Sequence, residues 1–124
     1  MKYAIIIARV LLGLVFAVFG SNAFLHFIPM LPMQGQAGAF IGSLVSSGYI
    51  YVIATLQVVG GLCLLIGARF VPLGLTLLGP VIVNIMLYHI FLDPSGLPMA
   101  IVISILTLFL LWIYRYKFPA IFQP

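Results

Sequence analysis

The sequence predicts an all-α membrane protein: a four-transmembrane-helix bundle with a short amphipathic helix in its one long connection. Three observations carry this. Of 124 residues, 65% are hydrophobic and only 5% are charged, and the mean hydropathy is +1.38. A soluble domain carries charge on about a quarter of its residues, so this chain lacks the polar surface to face water. Four apolar stretches, 4–27, 49–67, 70–92 and 97–114, supply the roughly 20 residues needed to cross a hydrocarbon core of about 30 Å. Finally, the connections between the later stretches are too short for anything but tight hairpins.

The first span opens behind Lys2 and carries Arg9 one to two turns in. Read as a signal peptide it would offer only Val18-Phe19-Gly20 as a cleavage site, a poor one, so it is expected to remain as a helix. Pro29 and Pro32 end it, because proline cannot continue the hydrogen-bond ladder. In the connection that follows, Ala37, Phe40, Ile41, Leu44 and Val45 recur at i, i+3, i+4, i+7 and i+8. That spacing puts them on one face of a short helix over 36–47, uncharged and stopped at Gly48, lying at the membrane surface as a cap. Only Ala68-Arg69 separates the second span from the third, and only Asp93-Pro94-Ser95-Gly96 the third from the fourth. Pro98 suits the first turn of the last helix. All 124 residues form a single integral membrane domain.

With this topology Lys2, Arg9, Arg69, Arg115 and Lys117 share one side, while Asp93, the sole acid, lies opposite. The positive-inside rule then places both termini in the cytoplasm, and Trp112, Tyr114 and Tyr116 form an aromatic belt beside Arg115 and Lys117. The formal net charge of +4 is thereby a matter of topology, and no basic face for nucleic acid is present. A single cysteine, Cys63, excludes an internal disulfide or a C-x-x-C redox pair and reads as a packing residue. A weak internal likeness pairs Ala8-Arg9-Val10-Leu11-Leu12-Gly13-Leu14 with Ala68-Arg69-Phe70-Val71-Pro72-Leu73-Gly74-Leu75, each followed by an Asn and a His, as a parallel two-helix repeat would.

In lipid, polar side chains must find partners, so those within the spans are where function is sought. Counting inward from the helix ends puts Gln57 and Asn84 roughly 12 Å deep, Ser104 about 10 Å and Asn22 about 7 Å, with His26 and His89 nearer the outer surface. All lie in the outer half of the bundle. Asn22, His26, Gln57, Asn84, Tyr88 and His89 are therefore the candidate ligand-binding cluster, set against the commoner use of Asn and Gln as helix-to-helix glue. Pro80 frees the Thr76 carbonyl, for which Asn84 or Gln57 is a candidate donor. The two histidines with one carboxylate make no metal set, so no metal is expected. Gly13, Ala17 and Ser21 at four-residue spacing, with Gly60 and Gly61 facing them, are expected to bring two helices into close contact.

Arg9-x3-Gly13 with Gly20, followed by Gln57-Val58-Val59-Gly60-Gly61-Leu62-Cys63-Leu64-Leu65-Ile66-Gly67 and Arg69, resembles the DoxX family of small four-helix bacterial membrane proteins. The likeness runs from about Ala8 to Tyr114. It implies residence in the bacterial cytoplasmic membrane and association with redox systems, since a related subunit belongs to a thiosulfate:quinone oxidoreductase. The family commonly has an acid where this chain has Gln57, so the carboxylate best suited to move protons is missing. The expected function is thus a non-catalytic subunit of a larger, redox-associated membrane complex. The alternative is a quinone-binding redox protein, part of a quinone-linked oxidoreductase, and a transporter or channel ranks last because the inner half offers little polarity beyond Thr76. No cofactor motif is present. A quinone or other lipid-soluble ligand suits the polar cluster, and the partners expected are the bilayer, other membrane subunits or a second copy of the chain.

Overall fold

The structure, a computed structural model, describes residues 1–27 and 34–119. Five α-helices form: α1 (Lys2–Leu25), α2 (Gly35–Ser47), α3 (Tyr49–Ile66), α4 (Val71–Phe91) and α5 (Leu97–Ile113). Single 3-10 turns at Ala68–Phe70, Pro94–Gly96 and Arg115–Lys117 join or follow them. Four helices are long and apolar enough to cross a membrane, so the all-α membrane bundle expected from the sequence is what forms. Pro29 and Pro32 lie outside the described residues.

The helices alternate in direction, and their register can be read from where small residues meet. Gly13 lies against Leu65 and the Gly61 carbonyl, Gly61 against the Ala17 amide, and Gly20 against Gln57 and Val58. Each step up α1 therefore matches a step back along α3. On the other side of α3, Gly60 meets Leu78, and Gly74 meets the Gly60 carbonyl and Cys63, so α4 runs antiparallel to α3 in turn. Packing of α5 on α4 and α1 closes the ring, leaving α1 diagonal to α4, while α2 lies against α3. The two adjacent glycines thus face different neighbours. Gly61 meets α1 as expected, but Gly60 serves α4, because successive residues on a helix point about 100° apart.

Burial is concentrated at the end of the bundle that carries the termini. Leu12, Leu64, Val71, Leu78 and Leu110 are completely enclosed there, with Ala8, Phe16 and Leu75 around them. At that end Arg9 is half-buried, and its Nε donates to the Leu64 carbonyl at 3.2 Å. Leu64 sits in the last turn of α3, where carbonyls lack intrahelical donors, and Gly67 leaves the helix extended rather than in a left-handed cap. Arg9 therefore satisfies an orphan acceptor and sets positive charge against the negative end of the helix dipole. Arg69, by contrast, lies on the connecting turn, 5.7 Å from the Phe70 ring, so the repeat-related arginines occupy different surroundings. Beyond α5, the Arg115 guanidinium stacks 3.9 Å from the Trp112 ring centre and 4.3 Å from that of Tyr116, and donates to the Trp112 carbonyl and the Tyr116 hydroxyl.

Candidate functional site

At the opposite end, the end bearing α2, the helices part. A cavity of about 500 Å³ lies between α2, α3 and α4. Phe40, Ile41 and Leu44 of α2 wall one side, and Ile53 and Leu56 of α3 with Val81 and Ile85 of α4 wall the other. The apolar face of α2 is thus turned to the bundle without filling it, and the Phe40 ring reaches Tyr88 at 5.8 Å between ring centres. Pro80 lines the cavity too, and lining residues such as Val52 (64% exposed) leave it open at one side.

Three polar side chains enter this apolar chamber: Gln57 from α3, and Asn84 and Tyr88 from α4. Their depth follows from the register. Gly60 faces Leu78, so Gln57 is level with Val81, and Asn84 stands one turn nearer the α2 end, about 4.5 Å along the axis. Asn84 Nδ2 donates to the Pro80 carbonyl at 2.8 Å. A carbonyl can only accept, so this bond fixes the orientation of the amide and leaves Oδ1 and the second N–H unused. The Thr76 carbonyl freed by proline is therefore not what Asn84 serves, since its amide reaches back one turn and not two. The Gln57 side chain is half-buried and makes no hydrogen bond with the described residues.

The hydroxyls in the spans behave differently. Ser21, Thr55, Thr76 and Thr107 each donate to the carbonyl four residues earlier, at 2.6 to 2.8 Å. This is the local solution open to Ser and Thr in a water-free environment, and it removes them as binding groups. A smaller apolar groove of about 280 Å³ between α1 and α3, lined by Ser21, Phe24, Thr55 and Val58 among others, accordingly presents little polarity. Ser104 Oγ is enclosed on α5 without a partner among the described residues and lies outside both cavities.

The remaining members of the sequence-derived cluster do not reach the cavity. Asn22 follows Gly20 by two residues, so it points about 200° around α1 from the face that meets α3. Its backbone carbonyl accepts the His26 amide at 2.8 Å. His26 is exposed and ends α1 in a left-handed conformation, with φ of 55°. Because α1 is diagonal to α4, neither residue shares a wall with Asn84. His89, five residues past Asn84, points about 140° away around α4. Its Nδ1 lies 2.9 Å from the Asp93 carbonyl, so that nitrogen carries the proton, and its ring packs on Gly96, where a Cβ would overlap it. Ser95 Oγ donates to Asp93 Oδ1 in the same turn, making this a closed corner rather than part of the cavity. Among the described residues no three His, Cys, Asp or Glu side chains come together.

Sequence reasoning missed the α2 wall as part of the site. The signal was available, since Phe40, Ile41 and Leu44 were already on one helical face, but nothing in that pattern tells a lining face from a packed one. In comparisons with protein-family models, curated proteins and solved structures, nothing matches this chain.

Proposed function

We propose that the protein is a non-catalytic integral membrane component that holds a lipid-soluble, hydrogen-bonding ligand in the α2/α3/α4 cavity, as the binding member of a larger membrane assembly. One observation carries the binding part: Gln57, Asn84 and Tyr88 converge in an otherwise apolar chamber, the arrangement typical of small-molecule sites. If Gln57 served only as glue between helices, its amide would be bonded across an interface, as polar groups between membrane helices are. The assembly part draws on the resemblance to DoxX proteins and on connections too small to form a soluble domain. On this reading the terminal end, with its five basic residues, faces the cytoplasm, as the positive-inside rule favours, and the cavity lies in the outer leaflet of a bacterial cytoplasmic membrane.

A quinone-linked redox role is the second reading, and the cavity shifts its chemistry from the histidines to the amides. His26 and His89 lie outside the chamber, so a ring carbonyl would meet Gln57 and Asn84 instead. Gentle detergent purification followed by lipid extraction and mass analysis tests the proposal. A stoichiometric lipid-soluble compound is expected from the native chain and a depleted amount from the Gln57→Leu, Asn84→Leu double variant. Equal recovery from both, or none from the native chain, overturns it.

A further inference from the structure

We infer that the occupant of the cavity is an uncharged lipid whose head bears a free hydroxyl, with diacylglycerol as the simplest member of the class. This rests on the reading of the cavity as a ligand site and adds what that ligand's head must be. Two features of the lining decide it.

The first is charge. Among the described residues no Lys, Arg, Asp, Glu or His lines the cavity, and the basic residues lie at the other end of the bundle. The nearest formal charge in sequence is Asp93, in the turn beyond α4, and it is negative. A phosphate or carboxylate drawn between these walls would lose its water and find no cation in return, a strongly unfavourable exchange. Phospholipid headgroups and fatty acids are thereby disfavoured.

The second is the balance of donors and acceptors. One Asn84 N–H is committed to the Pro80 carbonyl, which leaves Oδ1 seeking a donor and the other N–H an acceptor. Gln57 brings a whole unpaired amide, whose Oε1 also seeks a donor while its N–H groups seek an acceptor. A head with acceptors alone, such as a ring carbonyl or a fully esterified glycerol, would answer the amide N–H groups and leave both amide oxygens without a donor among apolar walls. A hydroxyl gives one bond and receives another. The two amides line the same cavity at levels about 4.5 Å apart along the axis, an arrangement suited to a single hydroxyl-bearing head. The open side by Val52 lets acyl chains remain in the bilayer while the head is held.

The test uses the full-length chain in phosphatidylcholine nanodiscs and a diacylglycerol carrying a photoreactive diazirine near its ester end. Irradiation is expected to label peptides spanning 40–57 and 80–88. Unlabelled dioleoylglycerol should compete. Dioleoyl phosphatidic acid and 3-acetyl-dioleoylglycerol, which share its chains, should each compete about tenfold more weakly, the worth of one or two hydrogen bonds. The Gln57→Leu, Asn84→Leu variant should lose the discrimination against the acetylated lipid and keep that against phosphatidic acid. Equal competition by phosphatidic acid overturns the neutral-head inference, and equal competition by the acetylated lipid overturns the hydroxyl; in both cases the cavity remains a ligand site. Labelling that avoids both segments overturns the site itself, and the inference falls with it.

Discussion

The two ends of the bundle are built on opposite principles. At the terminal end, glycines let backbones touch: the positions where Cβ atoms would sit on Gly13, Gly61 and Gly74 lie 2.7 to 2.9 Å from neighbouring backbone atoms, and the five completely buried large side chains surround that seam. At the α2 end α3 and α4 line a cavity around Gln57 and Asn84, and an amphipathic helix covers the gap without filling it. In lipid no hydrophobic force draws helices together, so close contact must come from shape, and small residues provide it. The difference teaches that the terminal end bears the stability while the α2 end is free to keep a cavity. Variants at the two ends should therefore separate stability from binding.

The largest expected effect comes from closing the seam with bulk. At Gly61 an added Cβ would meet the Ala17 amide and the Gly13 carbonyl, both at 2.7 Å, and backbone cannot swing aside. Gly61→Val should force α1 from α3 and destabilise the bundle by about 3 kcal/mol, at the upper end of overpacking penalties. Gly67→Ala, where the backbone is extended and nothing stands within 4 Å, should be nearly neutral. Thermal unfolding in detergent reads both. Equal loss in the two variants would mean that glycine matters here for something other than close approach.

Next comes the turn at His89. An Ala methyl at Gly96 would overlap the imidazole, so Gly96→Ala should cost about 2 kcal/mol. Removing the ring should restore most of it, and Gly96→Ala with His89→Ala should be far from additive. An additive double variant would show that the glycine acts through its backbone instead. A smaller effect belongs to Arg9. Arg9→Leu removes the Nε bond to the Leu64 carbonyl and the charge at the end of α3, for a loss of about 1.5 kcal/mol. Ligand recovery should not change, because Arg9 lies at the end away from the cavity; a parallel loss of ligand would join the two ends that the comparison separates.

Much of this was legible in the sequence because lipid makes it so. Four apolar runs bounded by Pro, Gly and charge leave little freedom for the spans, and Ala37, Phe40, Ile41, Leu44 and Val45 marked α2 by their spacing. Gln57 and Asn84 stood out as amides among hydrocarbons, with Tyr88 one turn beyond Asn84. What was not legible is which helices are neighbours. Depth along a helix can be counted, and depth grouped Asn22, His26 and His89 with the amides, but rotation about each axis and the order of helices around the ring separate them. The same rotation assigns Gly60 to α4 and Gly61 to α1, a distinction that side-by-side glycines conceal. The apolar α3 residues lining the cavity carry no signal of their own in a chain that is 65% hydrophobic, and the spacing of the α2 face does not tell lining from packing.

The smallest stability effect is the most informative for function. Gln57→Leu with Asn84→Leu removes two amides from apolar surroundings, at the loss of one local bond from Asn84 to the Pro80 carbonyl. Hydrogen bonds between polar groups within membranes contribute only about 0.6 kcal/mol on average, and an unpaired amide such as Gln57 contributes nothing to offset its own desolvation. With lipid removed from both, the double variant should therefore unfold within about 0.5 kcal/mol of the native chain, or slightly later. Its bound lipid should nonetheless be lost. A structural role for the amides predicts the reverse, a clear fall in stability with ligand content unchanged. Measuring both quantities on one preparation decides between them, because leucine retains the volume of either side chain and so leaves the cavity in place with its polarity removed.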